Sequence, residues 1–384
     1  MKHKLAFIIS VFICTSAICA ETTPYISKII DFVPAPGQFI NVIPAYDEGD
    51  TKEDIIAKIG SQIIGTGNGT LLSLGAWGGY IIVGFDHTIP NIIGEYDFHI
   101  SGNAHLSYIE ETQRYGGSCE PGIVMVSRDA NNNGLADDEW FELAGSGHYL
   151  PETKKKYEVT YYKPSAEMDA STQNIANYIL WKDNQGEQGY ISKNVFHKQS
   201  YFPLWIDADS ITFSGTLLPP NGVTGINGYT ILYAFDWGYA DNYPNNDERS
   251  RFKIEWAVDN NGNPVHLDGI DFIKIYTGVL QNNGFMISEC STEIAGITDL
   301  HFGSGNTANF VDKVFVSSNI GKELRINTTI PLFGTLLTIN GTIITEINFQ
   351  KGNNILSTNH LQKGIYLLQL TDACGTSHVY KLIK

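Results

Sequence analysis

Gly, Asn, Asp and Pro cut the chain into short apolar or alternating runs, and that punctuation most limits what it can fold into. The runs include Tyr80-Ile81-Ile82-Val83-Gly84-Phe85, Ile123-Val124-Met125-Val126, Tyr157-Glu158-Val159-Thr160-Tyr161-Tyr162 and Ile211-Thr212-Phe213. From Phe252 to Val258 the period is two, with Phe252, Ile254, Trp256 and Val258 on one side and Lys253 and Glu255 on the other. Phe272 to Val279 is of the same kind, and all of these predict half-buried strands. One helix is predicted from Thr51, where a capping residue and early acids precede Ile55, Ile56 and Ile59, with Gly60 as its stop. Many short strands without a strand–helix–strand rhythm predict an all-β chain: a jelly-roll-like β-sandwich followed by a small immunoglobulin-like one.

The two ends differ from the middle. Lys2 and Lys4 precede an apolar run from Leu5 to Cys14 and then the small residues Thr15 to Ala20. This is the layout of a secretory signal peptide over residues 1–20, with cleavage after Cys19 or Ala20. Composition shifts again near Ser317. Residues 318–384 hold six Lys/Arg and three Asp/Glu, against 17 and 38 in residues 21–317. The last stretch reads as a separate antiparallel unit: Thr335 to Ile339, an Asn340-Gly341 hairpin turn, Thr342 to Phe349, then Gly364 to Leu370 and Ser377 to Ile383.

The chain carries 41 acidic and 25 basic residues, with no Lys/Arg cluster interleaved with aromatics. It repels phosphate backbones, so nucleic acid is not an expected partner. Beyond the leader stand Cys119, Cys290 and Cys374. A Cys119–Cys290 disulfide is the expected pairing in an exported protein, and two buried free thiols are the open alternative. No Cys-x-x-Cys occurs, which removes the usual redox and thiolate-zinc readings.

The sharpest local motif runs from Asp129 to Trp140. Oxygen ligands recur at Asp129, Asn131, Asn133 and Asp137, Gly134 permits a turn, and Leu135 offers its carbonyl. That spacing suits a structural Ca²⁺, although Trp140 stands where an EF-hand has its closing glutamate. An Asx-rich surface turn is the alternative. A second polar stretch, Asp236 to Glu248, offers Trp237, Tyr239 and Tyr243 as a platform for a sugar ring or another bulky small molecule; Trp77, Trp181 and Trp205 are weaker candidates. Carboxylate pairs such as Glu110 with Glu111 and Asp207 with Asp209 are too common to discriminate. Glu95, Asp97 and His99 alternate as if on one strand face, with Asp86-His87 nearby. No Gly-x-Ser-x-Gly, His-Glu-x-x-His or phosphate-binding glycine loop is present, so the common hydrolase and nucleotide routes lack support.

Two resemblances follow from these residues. Leu337-Thr338-Ile339-Asn340-Gly341, the run Leu361-Gln362-Lys363-Gly364-Ile365-Tyr366, the Gly375 turn and the terminal Lys381-Leu382-Ile383-Lys384 resemble the C-terminal sorting domain of type IX secretion in the Bacteroidetes. The resemblance implies the type IX machinery as a partner, passage through the outer membrane to the cell surface or medium, and removal of the domain with Cys374. Pro34 to Phe39, Gly84 to His87, Ser118 to Asp129, Gly238 to Asn242 and Ser291 to Glu293 resemble a Bacteroidetes cell-surface protein family. Some of its members lie in cobalamin-uptake gene neighbourhoods. It implies a secreted surface binding protein that captures a nutrient such as a corrinoid or a glycan, working beside an outer-membrane transporter. Cys119 and Cys290 depart from that family's pattern. A structural or adhesive surface protein and a glycan-active hydrolase are the alternatives.

Overall fold

The computed structural model describes residues 22–110, 112–225, 230–284, 288–302, 314–316, 320–372 and 377–384. The predicted leader, Cys374, the Gly375 turn and the predicted boundary at 317/318 lie outside the described residues. The chain divides into two compact units, Thr22–Phe302 and Gly303–Lys384. Both are built of antiparallel sheets. Among the described residues no sheet closes on itself into a jelly roll, so the observed architecture is all-β in the broader sense of several separate sheets and one helix.

The first unit is organised by a six-stranded sheet in the order Lys28–Val33, Tyr80–Pro90, Gly269–Thr277, Gly122–Ser127, Trp140–Leu143, Ala257–Val258. Alternation along Tyr80–Pro90 decides which face is buried. Ile81 faces Ile275 and Val83 faces Ile273 across the pair, and all four are fully enclosed. Onto this core packs the helix Lys52–Ile63 through Ile55, Ile59 and Ile63. Each such burial stabilises by about 2 kcal/mol. The helix starts where the sequence predicts, with Thr51 and Asp54 capping each other reciprocally. It runs past Gly60, because burying Ile63 outweighs the cost of about 1 kcal/mol for a helical glycine.

A four-stranded sheet, Gln188–Lys193, Ile175–Asp183, Lys154–Tyr162, Ser210–Leu217, carries the second core. There Val159, Tyr161, Ile179, Ile191 and Phe213 enclose Trp77. The predicted strand Phe252–Val258 is not continuous. Arg251–Phe252 and Ala257–Val258 are strands, and a 3-10 turn at Ile254–Trp256 separates them. Buried Asp97 causes the break by accepting a hydrogen bond from Ile254 N at 2.7 Å, while Trp256 N turns back to Lys253 O.

The second unit has its own core of Leu324, Ile326, Leu336, Leu368, Leu370 and Leu382. One sheet runs Ile343–Phe349, Leu332–Thr338, Ile365–Thr371, Ser377–Ile383. The predicted hairpin turn is present, with Gly341 at φ +83°, a conformation that favours glycine. Strand Val314–Val316 pairs with Glu323–Thr328.

Candidate functional site

A polar cleft of about 600 Å³ lies between the six-stranded and four-stranded sheets of the first unit, within the range of small-molecule sites. Strand Trp140–Leu143 supplies Glu142, and Gly269–Thr277 supplies Lys274 and Tyr276. Lys155, Lys156 and Glu158 come from Lys154–Tyr162, and Asp259 to Gly262 form a turn at the rim. Gly215 matters for its missing side chain: a Cβ there would meet Tyr276 Oη at 2.8 Å. Without it, the tyrosine oxygen accepts from Thr216 N at 2.9 Å.

Glu142 is the electrostatic centre. His148 Nδ1 lies 2.7 Å from its Oε1, Thr216 Oγ1 donates to its Oε2 at 2.6 Å, and Lys155 Nζ stands 3.5 Å away. Burial opposes its ionisation, but the His148 hydrogen bond, the Lys155 charge and the Thr216 hydroxyl outweigh burial and hold the carboxyl below its ordinary value. Burial lowers both Lys155 and Lys274, offset in part by Glu142 and by Asp31 respectively. Asp259 is fixed by accepting from Asn261 N, Asn263 N and Asn263 Nδ2. Tyr149, 67% exposed, donates its hydroxyl to Gly262 O beside this turn. Three ammonium groups and three carboxylates thus line the cleft, so its charge is balanced and its lining rich in both donors and acceptors.

A second constellation is internal. Glu120, Asp241 and Glu293 bring ligand oxygens within 4.8 Å of one another, the spacing at which one cation bridges three carboxylates. Asp241 sits at φ +52° and accepts from Glu293 N at 2.9 Å and Asn103 N at 2.8 Å. Glu120 accepts from Ser291 N, and Ser291 Oγ donates to Glu293. Burial pushes all three carboxyls above their ordinary values, and repulsion among them pushes Glu120 and Glu293 further. Protons or a cation are the two ways to neutralise such a cluster. Each of the three lies in one of the stretches that carry the surface-family resemblance, around 118–129, 238–242 and 291–293. Those segments were therefore visible in sequence, while their convergence through the fold was not.

The other predicted site residues have varied fates. Trp237 is 38% exposed and packs against Trp256 with centroids 4.7 Å apart. Tyr239 and Tyr243 are buried, which corrects the expected solvent-facing platform. The Gly122–Ala240 bridge pulls this segment inward, so Tyr239 Oη accepts from Gly147 N and Tyr243 lies under the Arg249 guanidinium at 3.8 Å. Cys119 and Cys290 are buried free thiols, which corrects the expected disulfide. Their segments are joined by Glu120 and Ser291, and Cys290 packs among Ile123, Val279 and Tyr276. Glu95, Asp97 and His99 do not share a strand face: Glu95 is exposed, Asp97 buried before the strand, and only His99 within Phe98–Ser101. Asp97 instead lies 3.0 Å from His301 Nε2.

In the calcium-like loop, Asp129 accepts from Asn133 N and Gly134 N, Asn131 from Asn133 N, and Asn133 Oδ1 from Leu135 N. Asn133 Nδ2 donates to both oxygens of Asp137, and Lys28 Nζ takes the Gly134 carbonyl. The loop is thus folded about its own amides, with Asn132 and Gly134 at positive φ.

No family model matches the chain, and no curated protein matches it. Among solved structures it is similar to a Faecalibacterium prausnitzii beta-glucuronidase at 9% identity over 70% of this chain and 46% of that one, TM-score 0.15. A Ruminococcus gnavus beta-glucuronidase in complex with uronic isofagomine gives 7%, 78%, 46% and 0.16. PorZ, a surface component of the type-IX secretion system of Porphyromonas gingivalis, gives 11%, 85%, 53% and 0.17. The chain spans about half the length of these structures. At such TM-scores they carry no argument about this protein. Among the described residues no helix is long and apolar enough to cross a membrane.

Proposed function

We propose that this is an exported surface protein whose first unit binds a neutral, polyhydroxylated ligand of the glycan class in the polar cleft. The balanced lining around Glu142 carries this reading: fixed donors and acceptors suit hydroxyl groups, and exposed Tyr149 offers a ring face beside them. A corrinoid, which needs a broad apolar face, fits this lining less well. The hydrolase reading requires one carboxyl kept protonated opposite another. Glu142 is held the other way, with both oxygens bonded, which favours binding over bond cleavage.

Titration calorimetry of the full chain against neutral oligosaccharides, with cobalamin and haem alongside, tests the proposal. Micromolar binding of a glycan that is lost in Asp259→Ala supports it. Binding of cobalamin alone, or release of reducing sugar from the glycans, overturns it. The second unit is proposed as the type IX sorting domain, with the secretion machinery as its partner, and the first unit to work beside an outer-membrane transporter; deleting 318–384 should then retain the protein inside the native cell envelope. The 129–137 loop is proposed to take one structural Ca²⁺ through Asp129, Asn131, Asn133, the Leu135 carbonyl and Asp137.

A further inference from the structure

Two hollows of the first unit differ in what they leave unpaired. An apolar cavity of about 260 Å³, with Trp181, Tyr190 and Leu280 in its lining, holds one carboxylate, Glu289, which is bonded to Gln38 N and to Ser288. The polar cleft instead holds an amine without a bonded partner. Lys274 stands in strand Gly269–Thr277, between Ile82 and Met125 on the two neighbouring strands. Its side chain lines the cleft, with the nitrogen 4.2 Å from the centre of the Tyr80 ring.

The carboxylates around it are engaged elsewhere. Asp31 meets Lys52 Nζ at 2.6 Å and Phe32 N through one oxygen, and accepts from Tyr80 Oη at 2.8 Å through the other. Glu142 is taken by His148, Thr216 and Lys155, and Asp259 by the amides of its own turn. Glu158, the remaining acid of the lining, is exposed. Among the described residues Lys274 Nζ therefore has neither a hydrogen bond nor an ion pair, yet it is not sealed from solvent. Burial, which favours the neutral amine, outweighs the Asp31 charge and holds Lys274 below the ordinary lysine value. A desolvated lysine amine of this kind is a nucleophile for carbonyl carbon.

We infer that Lys274 is a covalent site for small hydroxylated aldehydes. The open-chain form of a reducing sugar is the class that suits the polar lining, and this choice of class rests on the glycan reading above. The Lys274 nitrogen bonds to the carbonyl carbon, the carbonyl oxygen leaves as water with both amine hydrogens, and an imine remains; nothing is oxidised or reduced.

Glycolaldehyde tests the site. The full chain is treated with it at neutral pH in sodium cyanoborohydride, which reduces an imine to a stable secondary amine, and the adduct is located by peptide mass mapping. Lys274 should be modified ahead of exposed lysines such as Lys322 and Lys351, and its rate should level off at a lower pH than theirs. In Lys274→Arg, with circular dichroism unchanged, that adduct should be lost. Equal labelling of the three lysines in the wild type, or a rate at Lys274 that climbs with pH in step with the others, overturns the inference. Maltose should be trapped at Lys274, whereas its methyl glycoside, which has no aldehyde, should not. Calorimetric binding of both sugars without trapping of either aldehyde sinks the Lys274 site alone; glycolaldehyde on Lys274 without binding of either sugar sinks the glycan reading alone.

Discussion

Thr216 donates its hydroxyl hydrogen to Glu142 at 2.6 Å, linking strand Ser210–Leu217 to Trp140–Leu143 across the polar cleft. Two sheets therefore share one carboxylate. Glu142→Ala leaves His148, Lys155 and Thr216 without their common acceptor, and we expect a loss of about 2–3 kcal/mol. Urea unfolding followed by tryptophan fluorescence measures it. Thr216→Val, which removes one donor to Glu142 and a long acceptor contact for Lys155 at 3.3 Å, should cost about 1 kcal/mol. Equal stability of Glu142→Ala and wild type would show that the cluster contributes nothing.

Glu289 gives a pH dependence. Burial raises its carboxyl to about 7, whereas in the unfolded chain it titrates near 4.3. Between those values the folded protein keeps a proton that the unfolded chain releases, so the folded state is progressively disfavoured as pH rises from about 4 to about 7. Relative to Glu289→Gln, the wild type should lose about 2–3 kcal/mol between pH 5 and pH 8. A constant difference across that interval would contradict the burial of this group.

Calcium in the 129–137 loop predicts a melting temperature that falls in EDTA and recovers when Ca²⁺ is restored. Asp129→Ala should abolish the response, whereas Glu293→Gln should leave it intact. The reverse pattern would assign the cation to Glu120, Asp241 and Glu293 instead. A melting curve indifferent to EDTA would remove metal from the loop.

Backbone crowding separates two glycines. A Cβ on Gly75, at φ +73°, would stand 1.9 Å from Ala35 O, whereas on Gly134, at φ +78°, it would meet open space. Gly75→Ala should destabilise by about 3 kcal/mol, and Gly134→Ala by only about 1 kcal/mol. Thermal unfolding of the two variants side by side checks the contrast.

The sequence disclosed strands where apolar period and burial coincide, as along Tyr80 to Phe85 and Ser377–Ile383, and turns where the backbone needs glycine, as at Asn340-Gly341. It misled where a distant side chain intervened. Nothing local announces that Asp97 captures the amide of Ile254, 157 positions away. Tyr239 and Tyr243 failed for a related reason: turn-forming neighbours suggested exposure, but a bridge to Gly122 drew them inside. The cleft was invisible because its charged groups come from several strands, and no single strand shows more than a fragment of it.

Among the described residues each apolar core draws its members from one unit alone: none of the residues around Ile81 or Trp77 lies beyond Ile297, and none around Leu336 lies before Val314. Proteolysis between Phe302 and Val314 would therefore divide the polypeptide without stripping either product of its greasy interior. The larger fragment would leave such a cut with its polar cleft, its apolar cavity and its acidic cluster whole.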